Sequence, residues 1–271
     1  MRKLLVIAGL VLILSALVFS GCNLLGGEKE PEPKGPGTVQ EDGGKDKKDY
    51  YIGQDAPVEG IKDWTERYRP YEGVFLQKLD GYRTVLVSMG EKFSPGYDVK
   101  VDEVAKKDGN WVVEVSFTKP AEEDYSGASV FPYETVSIID DDSPVEVYET
   151  GKDNNQAVKL EVIEIPEGMK LGASKSFIVF LPREGEKIAN PVTVRGKARV
   201  FEATFRITVE DGHNQLAREF MTASEGAPGW GEFEVDLSYE QPTNPAGHII
   251  FSYENMENGE LIEELALPVK F

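Results

Sequence analysis

The sequence predicts a mainly β protein, with a small β-rich α+β domain over residues 50–165 and an antiparallel β-sandwich over residues 174–271. Three observations lead there. Hydrophobic residues make up 40% of the 271 and aromatic residues 10%, the composition of a chain with a real core. Val, Ile, Phe, Tyr and Thr alternate with polar residues over much of the length, while runs of helical period are scarce. Turn dipeptides such as Asp108-Gly109, Asp211-Gly212 and Asn258-Gly259 fall between such runs, where tight connections need them.

The N-terminus is different in kind. Arg2 and Lys3 precede an almost wholly apolar stretch over residues 4–20, closed by small residues. A basic head, an apolar run and a small-residue end describe a secretory signal, here residues 1–21. The alternative is a membrane helix that stays on the chain, and a 17-residue stretch sits at the short limit for spanning. Phe19-Ser20-Gly21-Cys22 separates the two. It resembles the lipobox of bacterial lipoproteins, with Phe19 where an aliphatic residue is usual. In that motif two small residues precede a cysteine that is diacylated and becomes the new N-terminus. Cys22 is also the sole cysteine, so an internal disulfide has no second partner. The resemblance implies lipid on Cys22 and a place on the outer face of the cell membrane. One acyl chain binds only marginally, at about 0.8 kcal/mol per buried methylene, whereas two or three hold the protein to the surface.

Residues 22–49 read as the lipidated cysteine and a disordered tether. From Gly26 to Lys48 the segment is rich in Gly, Pro, Glu, Lys and Asp, with Val39 its one aliphatic side chain. Such a composition buries too little apolar area to offset its ordering entropy. As a flexible coil it would average roughly 25–30 Å end to end. Charge adds a further constraint. The chain carries 29 basic and 48 acidic side chains; losing Arg2 and Lys3 with the signal leaves 27 against 48, a net charge of −21. That balance argues against nucleic acid or an anionic membrane surface as a direct partner.

In the first unit, Ile61, Trp64, Thr65 and Tyr68 at helical spacing predict one amphipathic helix over residues 58–69. Strands are expected at Thr84–Met89, around Val99 and Val101, over Trp111, Val113, Val115 and Phe117, over residues 131–138, and in shorter pieces at Val145–Val147 and Val158–Ile165. Asp108-Gly109 joins two of them as a type I′ hairpin, since both residues tolerate positive φ. Residues 85–92 (Val-Leu-Val-Ser-Met-Gly-Glu-Lys), Pro95-Gly96-Tyr97, the Asp108-Gly109 hairpin and Phe131-Pro132-Tyr133 together resemble the C-terminal domain of the protease-complex subunit PrcB, over about residues 81–139. The family usually has a Thr-Gly-Gly-Tyr-like turn where this chain has Ser94-Pro95-Gly96-Tyr97. The resemblance implies a β-rich module linked to partnership with an extracellular protease, and it brings no catalytic residue.

In the second unit, alternation at Phe177, Val179 and Leu181, at Val192 and Val194, at Phe205, Ile207 and Val209, at Leu216 and Phe220, at Phe233, Val235 and Leu237, at Ile249, Phe251 and Tyr253, and from Leu261 to Val269 gives about seven short strands. Each has one polar face, the pattern of an antiparallel sandwich. Without the Cys…Trp…Cys hallmark its core must hold by packing. Residues 191–203, residues 222–233 and the closing Leu267-Pro268-Val269-Lys270-Phe271 resemble the immunoglobulin-like domain of bacterial spore-germination proteins. That resemblance implies an immunoglobulin-like sandwich in an extracytoplasmic setting.

Chemistry is sparse. A lipidated Cys22 leaves no thiol for catalysis or for a zinc site. His213 lies in a turn, His248 opens a strand, and no Gly-x-Ser-x-Gly elbow accompanies them; Ser126 sits in a small-residue loop. Asp140-Asp141-Asp142 with Glu146 could chelate calcium but lacks EF-hand spacing, and like Glu122-Glu123-Asp124 it reads as a solvated turn. No phosphate-binding glycine loop and no basic run with interleaved aromatics occurs. Trp111 alternates into a core and Trp64 pins the helix, whereas Trp230, between Gly229 and Gly231, either folds down to plug the sandwich end or is the candidate contact for a partner. The expectation is a non-catalytic, membrane-anchored module that needs no cofactor or metal. It binds an extracytoplasmic protein or wall component and is linked to sporulation or germination. The alternatives are an accessory or regulatory subunit of a secreted protease and a wall-active hydrolase using paired carboxylates.

Overall fold

The computed structural model describes residues 48–121, 129–151 and 156–271. The expected signal peptide, Cys22 and all but the end of the tether lie outside the described residues, as do Ser126 and Glu122-Glu123-Asp124. Of the described residues 54% are in strands and 5% in helix, a mainly β protein. Among the described residues no helix is long and apolar enough to cross a membrane.

Ten elements build the first half: β1 (Tyr50–Ile52), α1 (Ile61–Tyr68), β2 (Glu72–Leu79), β3 (Tyr82–Met89), β4 (Asp98–Lys107), β5 (Asn110–Thr118), β6 (Tyr133–Ile139), β7 (Val145–Glu149), β8 (Val158–Lys159) and β9 (Val162–Ile165). They form a five-stranded sheet in the order β1-β6-β3-β2-β9 and a four-stranded sheet in the order β4-β5-β7-β8. Both sheets are mixed, because β9 runs parallel to β2 and β7 parallel to β5. Two tight hairpins fix the antiparallel registers. Asp108 and Gly109 have φ of 50° and 86°, as a type I′ turn requires, and Asp80 and Gly81 repeat the device at 48° and 75°. The strand before that second turn, β2, escapes a search for alternation because it is buried on both faces. Val74 and Leu76 enter the core between the sheets with Val85, Val87, Val113 and Val115, while Phe75 points the other way with Leu86.

The second half adds β10 (Gly172–Ala173), β11 (Phe177–Leu181), β12 (Val192–Ala198), β13 (Thr204–Glu210), β14 (Gln215–Thr222), β15 (Gly231–Leu237), β16 (Ala246–Glu254) and β17 (Leu261–Lys270). Two antiparallel four-stranded sheets, β10-β11-β12-β15 and β14-β13-β16-β17, face each other as an immunoglobulin-like β-sandwich. One phenylalanine from each of four strands meets at the centre: Phe177 lies 5.3 Å from Phe205, Phe205 4.9 Å from Phe233, and Phe177 5.4 Å from Phe251, ring centre to ring centre. These edge-on and tilted contacts form the middle of a core that holds without a disulfide.

The described residues form one compact unit. The outer face of the five-stranded sheet carries α1 on Trp64 and Tyr68 and also receives the sandwich. Trp64, Tyr68, Tyr71, Phe75, Leu86, Ile163 and Ile165 from the first half share a single apolar cluster with Leu171, Ile178 and Phe180 from the second. The link after β9, which the sequence marks with Pro166-Glu167-Gly168, therefore runs along a buried apolar joint. Its Leu171 is fully buried there, and β10 at residues 172–173 already belongs to the sandwich sheet.

Candidate functional site

The joint begins with β11. Phe177-Ile178-Val179-Phe180 is buried throughout, so it cannot be a one-faced strand. Phe177 and Val179 fill the sandwich core, and Ile178 and Phe180 fill the cluster shared with the first half. Gly196 on β12 permits this close layering: a Cβ there would stand 2.2 Å from the Ile178 carbonyl oxygen, closer than atoms can approach.

Hydrogen bonds and ion pairs ring the apolar contact. The Tyr71 hydroxyl donates to the Ser174 carbonyl at 2.8 Å, and the Leu171 N–H donates to the Tyr68 hydroxyl at 3.1 Å. Burial drives both tyrosine pKa values up, that of Tyr71 to about 12. The buried Gln77 amide donates to the carbonyls of Pro166 and Met169, each at 2.9 Å. Arg67 pairs with Glu184 at 2.8 Å and Arg199 with Glu91 at 2.9 Å. Burial pushes the Glu91 carboxyl up, but hydrogen bonds from Ser129 and Arg199 outweigh it and leave the pKa below its ordinary value.

Trp230 belongs to this ring of contacts. Its indole meets Tyr71 edge-on at 5.4 Å, and the Arg199 guanidinium lies over it at 5.1 Å. The loop-borne ring that the sequence offers as a candidate contact for another molecule thus packs across the joint within its own chain. Trp64 and Trp111 are both buried, the first in the shared cluster and the second between the sheets of the first half.

Beside the joint lies a cleft of about 380 Å³, walled by the ends of β2, β3, β5 and β7 on one side and by Phe180, Lys197 and Glu232 on the other. Tyr97 and Phe117 line it from the first half. A second hollow of about 180 Å³ shares Glu161, Phe180 and Glu232 with it and extends towards Arg195 and Glu234. Most of the charged groups along this groove are tied together. Lys92 pairs with Glu72 at 2.9 Å, Arg195 with Glu161 at 2.6 Å and Lys197 with Glu232 at 3.9 Å. Lys197 also donates to the Glu72 carbonyl at 3.3 Å, bridging the two halves.

The other candidate residues stand apart from the cleft. Three of the four candidate carboxylates pair with lysines: Asp140 with Lys78 at 2.6 Å, Asp141 with Lys106 at 2.5 Å, and Glu146 with Lys159 at 2.6 Å. Among the described residues no three His, Cys, Asp or Glu side chains converge as a metal site would need. His213 Nδ1 is 2.7 Å from the Asn244 amide in a loop, and His248 Nδ1 is 2.8 Å from Glu210 on neighbouring strands. Carboxyl groups that depart from their ordinary pKa among the described residues all move down. In Asp140, Asp141 and Glu146 the first cause is a hydrogen bond from lysine, and in Asp211 it is one from Thr243. In Glu91 and Asp102 hydrogen bonds outweigh the upward push of burial.

The sequence reading does not find the cleft, since its lining comes from separate stretches of chain scattered between Glu72 and Glu232. One signal was available: a four-residue apolar run without alternation at 177–180 marks a strand covered on both faces, and hence a joint.

Comparison with known families matches the two halves separately. The model for the PrcB C-terminal domain matches residues 84–138, and that for the immunoglobulin-like domain of bacterial spore germination matches residues 177–260. Both are non-catalytic domain types. No curated protein and no solved structure matches the chain.

Proposed function

We propose that this chain is a non-catalytic extracytoplasmic interaction module, held at the outer face of the membrane by lipid on Cys22, that presents the groove beside the joint to a protein or wall partner. The observation that carries the reading is that two domain types without catalytic residues are locked into one body, with a cleft formed by both. A joint packed with aromatic side chains keeps the walls of the cleft in fixed register, so a ligand need not bear the cost of ordering them. The PrcB C-terminal match favours a second reading, an accessory or regulatory subunit of a secreted protease. In that reading the partner is the protease itself.

The test is capture. The Cys22→Ser chain without residues 1–21 is immobilised and exposed to native envelope extract, beside a variant with Glu232→Lys in the cleft wall. Retention of one protein or wall fragment by the parent and its loss from the variant is the expected result. A retained protease favours the second reading. Degradation of peptidoglycan or casein without retention overturns both and returns attention to the carboxylates.

A further inference from the structure

We propose that the groove beside the joint binds an uncharged oligosaccharide, a choice that rests on the interaction reading above and names its ligand class. The first argument is size. The cleft of about 380 Å³ falls within the range of small-ligand sites, and the hollow of about 180 Å³ that continues from it lengthens the groove beyond one sugar ring. A chain of linked rings suits that shape better than a compact metabolite.

The second argument is charge. The protein carries a net charge of −19, so a cationic ligand would find favourable potential over much of its surface and an anionic one would be repelled. The groove is the exception to that surface. Glu72 faces Lys92, Glu161 faces Arg195 and Glu232 faces Lys197 along its length, and with Glu149, Glu234 and Lys119 the lining sets five carboxylates against four cations. A charged ligand would compete with these pairs and gain little. A hydroxyl both donates and accepts, so it can bond to the free lone pairs of the carboxylates and the remaining N–H groups of the cations without breaking a pair. Because Glu72 with Lys92 and Glu161 with Arg195 are already held in pairs at 2.9 and 2.6 Å, those donors and acceptors are fixed before the ligand arrives.

The third argument is the apolar lining. Tyr97, Phe117 and Phe180 line the groove; Lys92 lies over the Tyr97 ring at 5.9 Å and Arg195 over the Phe180 ring at 5.6 Å, so Phe117 is the ring taken to meet the sugar. Sugar rings carry one face of C–H groups, which contacts aromatic rings, and an equatorial rim of hydroxyls, which meets polar walls. An apolar peptide would leave the paired charges along the walls without new partners, at a cost in desolvation.

The experiment is calorimetric titration of the full chain in a detergent with no sugar headgroup. The probes are N-acetylated chitotetraose, its deacetylated cationic counterpart, and an anionic tetragalacturonate. Saturable binding of the uncharged tetramer with a Kd below about 1 mM, little changed by salt, is expected, with both charged tetramers at least about tenfold weaker. Phe117→Ala should weaken the uncharged tetramer about tenfold, and Phe117→Tyr should restore it. Glu232 has a side chain 71% exposed, so Glu232→Gln tests the polar wall without disturbing the core, and it should also lose affinity. Absence of heat with the uncharged tetramer, or equal binding by all three, overturns the assignment. If extract still yields a cleft-dependent protein partner, the interaction reading survives and only the sugar assignment falls. If neither binds, both fall.

Discussion

Ile178→Ala in β11 tests whether the two halves stand or fall together. Ile178 is 0% exposed, and its side chain points out of the sandwich into the cluster with Trp64, Tyr68, Phe75 and Leu86. The substitution removes three carbons, worth about 0.8 kcal/mol each on transfer from water, or about 2.4 kcal/mol together. The cavity left in a joint of rigid rings raises the loss to about 3 kcal/mol, within the range of about 2–5 for such truncations. With a urea dependence of about 3 kcal/mol per molar for a body of this size, the midpoint should fall by about 1 M. The assay is equilibrium urea unfolding by tryptophan fluorescence set against far-ultraviolet circular dichroism. Trp111 reports the first half, while Trp64 and Trp230 sit at the joint and report its opening; circular dichroism reports the strands of both halves. Coincident single transitions in the parent, and a variant curve shifted as a whole, are expected. Two separate transitions in the parent, with only the sandwich transition moved by the substitution, would refute the claim that the joint couples the halves.

Two further substitutions probe the polar ring and the sandwich loops. Arg199→Leu removes the cation that pairs with Glu91 and covers Trp230, leaving a carboxylate that is largely shielded from solvent. A loss of about 2 kcal/mol in urea unfolding is expected, partly recovered by adding Glu91→Gln; no recovery would mean that the guanidinium acts only by packing. Asp211 accepts hydrogen bonds from Thr243, Asn214 and His213 that lower its carboxyl pKa, so its stabilising share is complete above the unfolded value near about 3.9 and is lost as pH falls through the lower folded value. Asp211→Asn should therefore be less stable than the parent at neutral pH, with the gap closing as the solution is acidified below about pH 4. A gap independent of pH would show that the charge on Asp211 is irrelevant.

Local pattern alone determines much of this protein. The helix at Ile61–Tyr68, the Asp108-Gly109 hairpin and the one-faced strands β13, β15 and β16 follow from spacing and turn chemistry, because each has a polar face and a residue type that only one backbone geometry accommodates. The order of the two domain types is likewise carried by short runs of sequence, and family comparison places them at residues 84–138 and 177–260. Strand β2 and the double duty of β11 were decided elsewhere. Periodicity records which face meets water, and a strand covered on both faces has no periodicity to read. Trp230 shows the same limit from the other side: in sequence it is a large ring in a glycine loop, and only the approach of Tyr71 and Arg199 from distant stretches turns it inward. The cleft, with its opposed charges, exists for the same reason. Glu72 and Lys197 are 125 positions apart, and nothing short of the packed joint brings them together.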